Sequence, residues 1–143
     1  MSNFQEVFPF LVQSNFHPTS PETNSYNCIA WAAEEDDVWW WPDPKGVAFW
    51  PRGIERAETV DAFTAAFVSL GYVPCVDGAI SPGVQKVALY TKNGAPTLMA
   101  RQMPDGTWTS KLGQSIDINH YTLDAIHSPL YGAATHFFSR PIG

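Results

Sequence analysis

Cys28, in the stretch Tyr26-Asn27-Cys28-Ile29-Ala30-Trp31-Ala32, is the side chain of this sequence best placed to act as a nucleophile. The reactive form of a cysteine is the thiolate, and the positive end of a helix stabilises it. Cys28, Ile29, Ala32 and Ala33 recur at helical spacing in a segment running from Ser25 to about Glu35, which puts Cys28 in a first turn. Asn24 or Ser25 is the expected cap. The acids Glu34, Glu35, Asp36 and Asp37 sit at the negative end of the helix, where they should fray it. A thiol with an ordinary pKa of about 8.5 is only slightly ionised at neutral pH, so attack on a peptide bond needs a base. The competing reading is a small buried core residue, the common lot of a cysteine with no local partner. Cys75, between Pro74 and Val76, makes a weaker case still.

Four histidines are available as that base. His17 precedes Cys28 in a turn-rich segment, His120 ends Asp117-Ile118-Asn119-His120, His127 precedes Ser128-Pro129, and His136 lies on the last predicted strand. None has a spacing that fixes it beside Cys28, and such histidines are more often surface or structural residues than bases. Asp117 also fits as a helix cap with His120 three positions on. Trp39, Trp40 and Trp41 stand together in a proline-rich connection. Three such rings cannot all enter one core from a loop, so one or two are expected to line a groove suited to peptide or glycan chains. Their alternative role is to cover a seam between helix and sheet.

The elements that must position these residues are legible in outline. Residues 1–23 are loop-rich, and His17-Pro18-Thr19-Ser20-Pro21 argues against regular structure. Val60, Phe63, Phe67 and Leu70 predict a helix from Thr59 to Leu70, with Asp61 in its first turn and Gly71 as its stop. The period then changes. Strands are expected over Gln85–Tyr90, Thr97–Gln102 and Thr107–Lys111, joined by turns at Asn93-Gly94 and Asp105-Gly106. A helical or looped segment, Ile116–Ile126, leads to a last strand, Ala133–Ser139. Helices first and an antiparallel sheet after them imply an α+β fold.

Composition narrows the function. The 143 residues fit a single domain, 1–143, and 45% of them are apolar against 15% charged, enough to build a core without disulfide or metal. The net charge is −6 and no basic stripe exists, so nucleic acid is not an expected partner. No apolar run approaches the roughly 20 residues that cross a bilayer, and the N-terminus lacks the pattern of a secretory signal. Neither a membrane nor a cofactor is expected, the two cysteines form no zinc pattern, and a cytoplasmic location follows by default.

The Cys28 block, Trp39-Trp40-Trp41-Pro42, and the run from Pro96-Thr97-Leu98-Met99-Ala100-Arg101-Gln102 to Trp108-Thr109-Ser110-Lys111-Leu112-Gly113 resemble a family of uncharacterised bacterial proteins. That family is in turn similar to papain-like thiol peptidases and amidases of the NlpC and CHAP type. The resemblance implies a papain-like fold, N-terminal helices packed on an antiparallel sheet, with Cys28 as nucleophile. It implies a base on the second strand, where the family has histidine and this chain has Leu98. Ser110 on the next strand takes the orienting position, and Gln102 is a further polar group near the site. The expected protein is a catalytically impaired hydrolase scaffold that binds a peptide, amide or glycopeptide ligand. Two other readings stand beside it: an active thiol peptidase or amidase using another histidine, and a small partner-binding or immunity-type protein that works through its tryptophan loop. The sequence fixes no oligomeric state.

Overall fold

The computed structural model describes residues 8–10, 16–20, 26–34, 38–111, 117–129 and 131–142. Its dominant element is a seven-stranded sheet. The strands are β1 (Phe16–Ser20), β2 (Val73–Cys75), β3 (Val84–Lys92), β4 (Ala95–Gln102), β5 (Trp108–Lys111), β6 (Asp117–His120) and β7 (Ala133–Pro141). They pair in the order β1-β6-β5-β4-β3-β7-β2, every neighbour antiparallel. Two α-helices accompany them, α1 (Cys28–Ala32) and α2 (Val60–Val68), with a 3₁₀ turn at Leu123–Ile126.

The expected α+β, papain-like arrangement of N-terminal helices packed on a sheet is therefore incorrect. A strand precedes the first helix, the helices are only five and nine residues long, and the sheet carries the architecture. The helix around Cys28 is short for a local reason. Glu34, at φ 66°, enters the left-handed region and donates its backbone N–H to Trp31 O, which closes the turn after Ala33.

Three more expectations change. The prolines of His17-Pro18-Thr19-Ser20-Pro21 do not exclude a strand, because β1 is an edge of the sheet, where a missing N–H costs no ladder bond. Part of the segment expected as helix or loop after Ile116 is β6, paired on both sides. The cap of α1 is Asn27 and not the expected Asn24 or Ser25, which, like the acids at 35–37 and the Leu112-Gly113 pair, lie outside the described residues.

The other elements follow the sequence signals. Thr59 caps α2, its hydroxyl accepting from Ala62 N at 3.1 Å, and Ala62, Phe63, Ala66 and Phe67 form the buried stripe. Between β3 and β4, Asn93 and Gly94 both have positive φ, 53° and 80°, as a two-residue hairpin turn needs. Gly106 at φ 90° serves the next hairpin, where Met103 and Thr107 close the loop.

Both faces of the sheet are covered. On one, Phe138 of β7 stacks on Phe67 of α2 at 6.2 Å, and Thr109 of β5 accepts from the Trp31 indole of α1 at 3.0 Å. On the other, the Tyr90 hydroxyl of β3 donates to Leu123 O of the 3₁₀ turn at 2.7 Å, and Gln102 of β4 donates to Gly78 O at 2.7 Å. Consecutive buried residues along β3, Val87 to Thr91, record this two-sided burial. Among the described residues, no helix is long and apolar enough to cross a membrane.

Candidate functional site

Asn27 builds the site. It is the N-cap of α1, and its side-chain oxygen accepts from Ala30 N at 3.1 Å. The same oxygen accepts from Trp40 N at 3.1 Å, while the amide nitrogen donates to Trp40 O at 2.8 Å. One buried amide thus satisfies an open helix end and clasps the tryptophan loop against it. Beyond the clasp, Phe49 N donates to Trp39 O at 2.8 Å and Trp41 N to Phe49 O at 3.0 Å, so residues 39–41 run extended.

An extended backbone sends successive side chains to opposite sides. Trp40 is buried, its ring 4.9 Å from Phe49, 6.4 Å from Trp50 and 6.3 Å from Phe67. Trp39 and Trp41 instead border a groove of about 530 Å³ shared with Asn27, Cys28, Asp43, Val47, Ala48, Thr97, Leu98 and Tyr131. Cys28 is the first residue of α1 and only 7% exposed. Both cysteines are thiols outside any disulfide. Tyr131 lies within electrostatic reach of Cys28: burial raises its phenol pKa, and the charge of the thiolate raises it further. The Tyr131 ring stacks on Phe8 at 5.5 Å, and its carbonyl accepts from the Thr97 hydroxyl.

The polar end of the groove is Asp43. Its carboxylate accepts from Ala48 N at 2.9 Å and Val47 N at 2.8 Å, with Arg56 at 3.4 Å. These backbone bonds, from Ala48 and then Val47, hold its pKa below the usual carboxylate value, with Arg56 adding to them. Arg56 also donates to Asp43 O and Ala48 O, which pins the turn that forms this wall.

The other expected site residues divide between the groove and the far face of the sheet. Leu98 borders the groove where a register shift leaves Thr97 as an extra residue in β4, yet it is 1% exposed and in register with Tyr90. Ser110 and Gln102 are absent from the groove. Thr109 faces α1, so alternation turns Ser110 to the opposite face of the sheet, where its hydroxyl meets His120 Nε2 at 2.8 Å. His120 Nδ1 lies 2.9 Å from Thr122 O; a carbonyl only accepts, so Nδ1 carries the proton and Nε2 accepts from Ser110. His120 is fully buried, and desolvation lowers its pKa to about 4, the Thr122 bond opposing the shift.

None of the four histidines is among the described residues that line the groove. His17 has its backbone in β1, opposite Asn119. His127 accepts from Ala134 N at 3.3 Å, and His136 is exposed on β7 beside Thr135. Cys75 is on the edge strand β2, its thiol 3.5 Å from Asp77 O. No cluster of histidine, cysteine and acid side chains able to hold a metal occurs among the described residues.

Sequence reasoning missed Asn27, Asp43, Thr97 and Tyr131. For Asn27 a signal existed, a capping residue immediately before the first apolar position of a helix. Asp43 and Tyr131 come from distant loops and Thr97 from a register shift within β4, and none of them carries a local mark.

Residues 17–139 match the family model described as a domain of unknown function, DUF7689. The chain belongs to that family. No curated protein and no solved structure matches it. The matched span takes in the whole groove-forming part of this DUF7689 domain, from Asn27 to Tyr131.

Proposed function

We propose that this domain binds a small ligand in the Cys28 groove and does not turn it over. One observation carries the reading: a groove of about 530 Å³ with a thiol at one end of a helix, walled by tryptophan and tyrosine, with no imidazole among its described lining residues. That volume is within the range of about 300–1,000 Å³ that small-molecule sites occupy. With no imidazole among the described lining residues, the acid–base assistance that contributes about 10²–10⁴-fold to thiol-catalysed hydrolyses is not built into these walls. The buried Ser110–His120 pair supports the same reading, since it engages a fully buried histidine on the far side of the sheet.

Alkylation of Cys28 by iodoacetamide tests it, with Cys28→Ser as the blank and N-acetyl-phenylalaninamide as probe. The expected result is a rate that rises only through the ordinary thiol range, slowing as the probe fills the groove, with no hydrolysis of the probe. A thiol that is fully reactive below about pH 7.5, together with amide cleavage, would overturn it. Leu98→His is expected to add no reactivity, because Tyr90, its register partner, points to the Leu123 side of the sheet.

A further inference from the structure

We infer that the ligand of this groove carries a quaternary ammonium group, as a small soluble cation of the choline type does. The inference rests on the binding role proposed above and names the chemistry the site selects. Three aromatic residues, Trp39, Trp41 and Tyr131, border one cavity together with a single carboxylate, Asp43. No lysine or arginine is among its described lining residues. Aromatic faces carry negative potential, and several of them around one space favour a cation that is too weakly hydrated to prefer water. A methylated ammonium meets that condition, and with no N–H it needs no hydrogen-bond acceptor from the ring faces.

The rings are held by the fold, which keeps the cost of organising them low. The Trp41 ring sits edge-on to Phe63 at 5.6 Å, and its indole N–H reaches Glu58 at 3.3 Å. Tyr131 has one ring face taken by Phe8. Asp43 is fixed by two backbone N–H groups and stays ionised at neutral pH, supplying negative charge at one wall. Arg56 shares that carboxylate, so the rings must supply most of the selectivity. The net charge of −6 draws cations toward the molecule as a whole. An anionic ligand, by contrast, would meet ring faces and a carboxylate.

Calorimetric titration with choline and with its neutral isostere 3,3-dimethylbutan-1-ol, at matched ionic strength, separates the terms. Choline is expected to bind about tenfold more tightly than the alcohol, the increment that two or three ring contacts supply. Trp41→Leu should abolish that preference, whereas Tyr131→Phe, which keeps a ring, should retain it; circular dichroism of each variant checks folding. Equal binding of the two compounds would overturn the inference and leave the groove reading intact. Binding of neither, with N-acetyl-phenylalaninamide still slowing Cys28 alkylation, would overturn it in the same way. Failure of all three ligands would overturn both. Tighter binding to phosphatidylcholine vesicles than to choline would overturn the assignment to a small soluble cation.

Discussion

The two faces of the sheet divide the groups that thiol chemistry would need to combine. On the helix side, Cys28 lies in a groove walled by aromatic rings; on the other, His120 lies fully buried with its two ring nitrogens bonded to Ser110 and Thr122. A catalytic imidazole is tuned near neutral pH and left room to exchange protons. His120 has neither property: burial holds it neutral, and its neighbours occupy both nitrogens. The groove is open and apolar, the far face closed and polar in its centre. The first is arranged to admit something, and the second to keep one conformation.

The sharpest way to break that division is at Asn27, which joins α1 to the tryptophan loop. Asn27→Ala removes a helix cap, worth about 1 kcal/mol, and strands the buried N–H and C=O of Trp40, each costing about 1–3 kcal/mol. A loss of about 3–7 kcal/mol in urea unfolding is expected. Because the loop is also the groove wall, Cys28 alkylation in the folded state should become faster. Destabilisation with an unchanged alkylation rate would mean that the loop does not shield the thiol.

The far face makes its own contribution through pH. The His120 pKa is depressed to about 4 in the folded state against about 6.5 unfolded, so between those values the unfolded chain binds more protons. Stability therefore rises with pH through that window and is lost as pH falls from 6.5 towards 4, by up to about 3 kcal/mol. Denaturation midpoints measured from pH 7 to 4 should show the slope, and His120→Gln should flatten it. Asp43 and Asp77 also have lowered pKa values, but their loss of stability begins only as the pH approaches the ordinary carboxylate range, below the upper part of the histidine window.

Much of this was legible locally and little of it globally. The α2 helix announces itself through Phe63 and Phe67 at helical spacing, and the β3–β4 hairpin through Asn93-Gly94, because both depend on neighbours in sequence. β1 stayed hidden, since Pro18 argues against a strand unless the strand is known to be an edge, a fact that only topology supplies. β6 was hidden because Asp117-Ile118-Asn119-His120 shows no clean apolar alternation: Asn119 and His120 face opposite covered surfaces and both are buried. The α+β expectation failed because β1 precedes the helices and the helices are only five and nine residues long, which leaves the sheet to carry the architecture. In the site, the position of Cys28 at a helix start could be read from sequence. The face to which Ser110 turns could not, because it depends on which side of the sheet α1 packs.

The smallest expected effect tests the separation most directly. Ser110→Ala removes the donor that satisfies His120 Nε2, leaving a buried acceptor unpaired at a cost of about 1–2 kcal/mol. Gln102 and Trp108 remain in place, so the fold should persist. If the two faces are independent, Cys28 alkylation and ligand binding in the folded protein keep their wild-type values, because Thr109, not Ser110, contacts α1. The double variant Ser110→Ala with Asn27→Ala should then lose stability by the sum of the single effects within about 0.5 kcal/mol, as sites without shared partners do. A larger coupling, or a change in thiol reactivity from Ser110→Ala alone, would show that the sheet transmits the state of His120 to the groove.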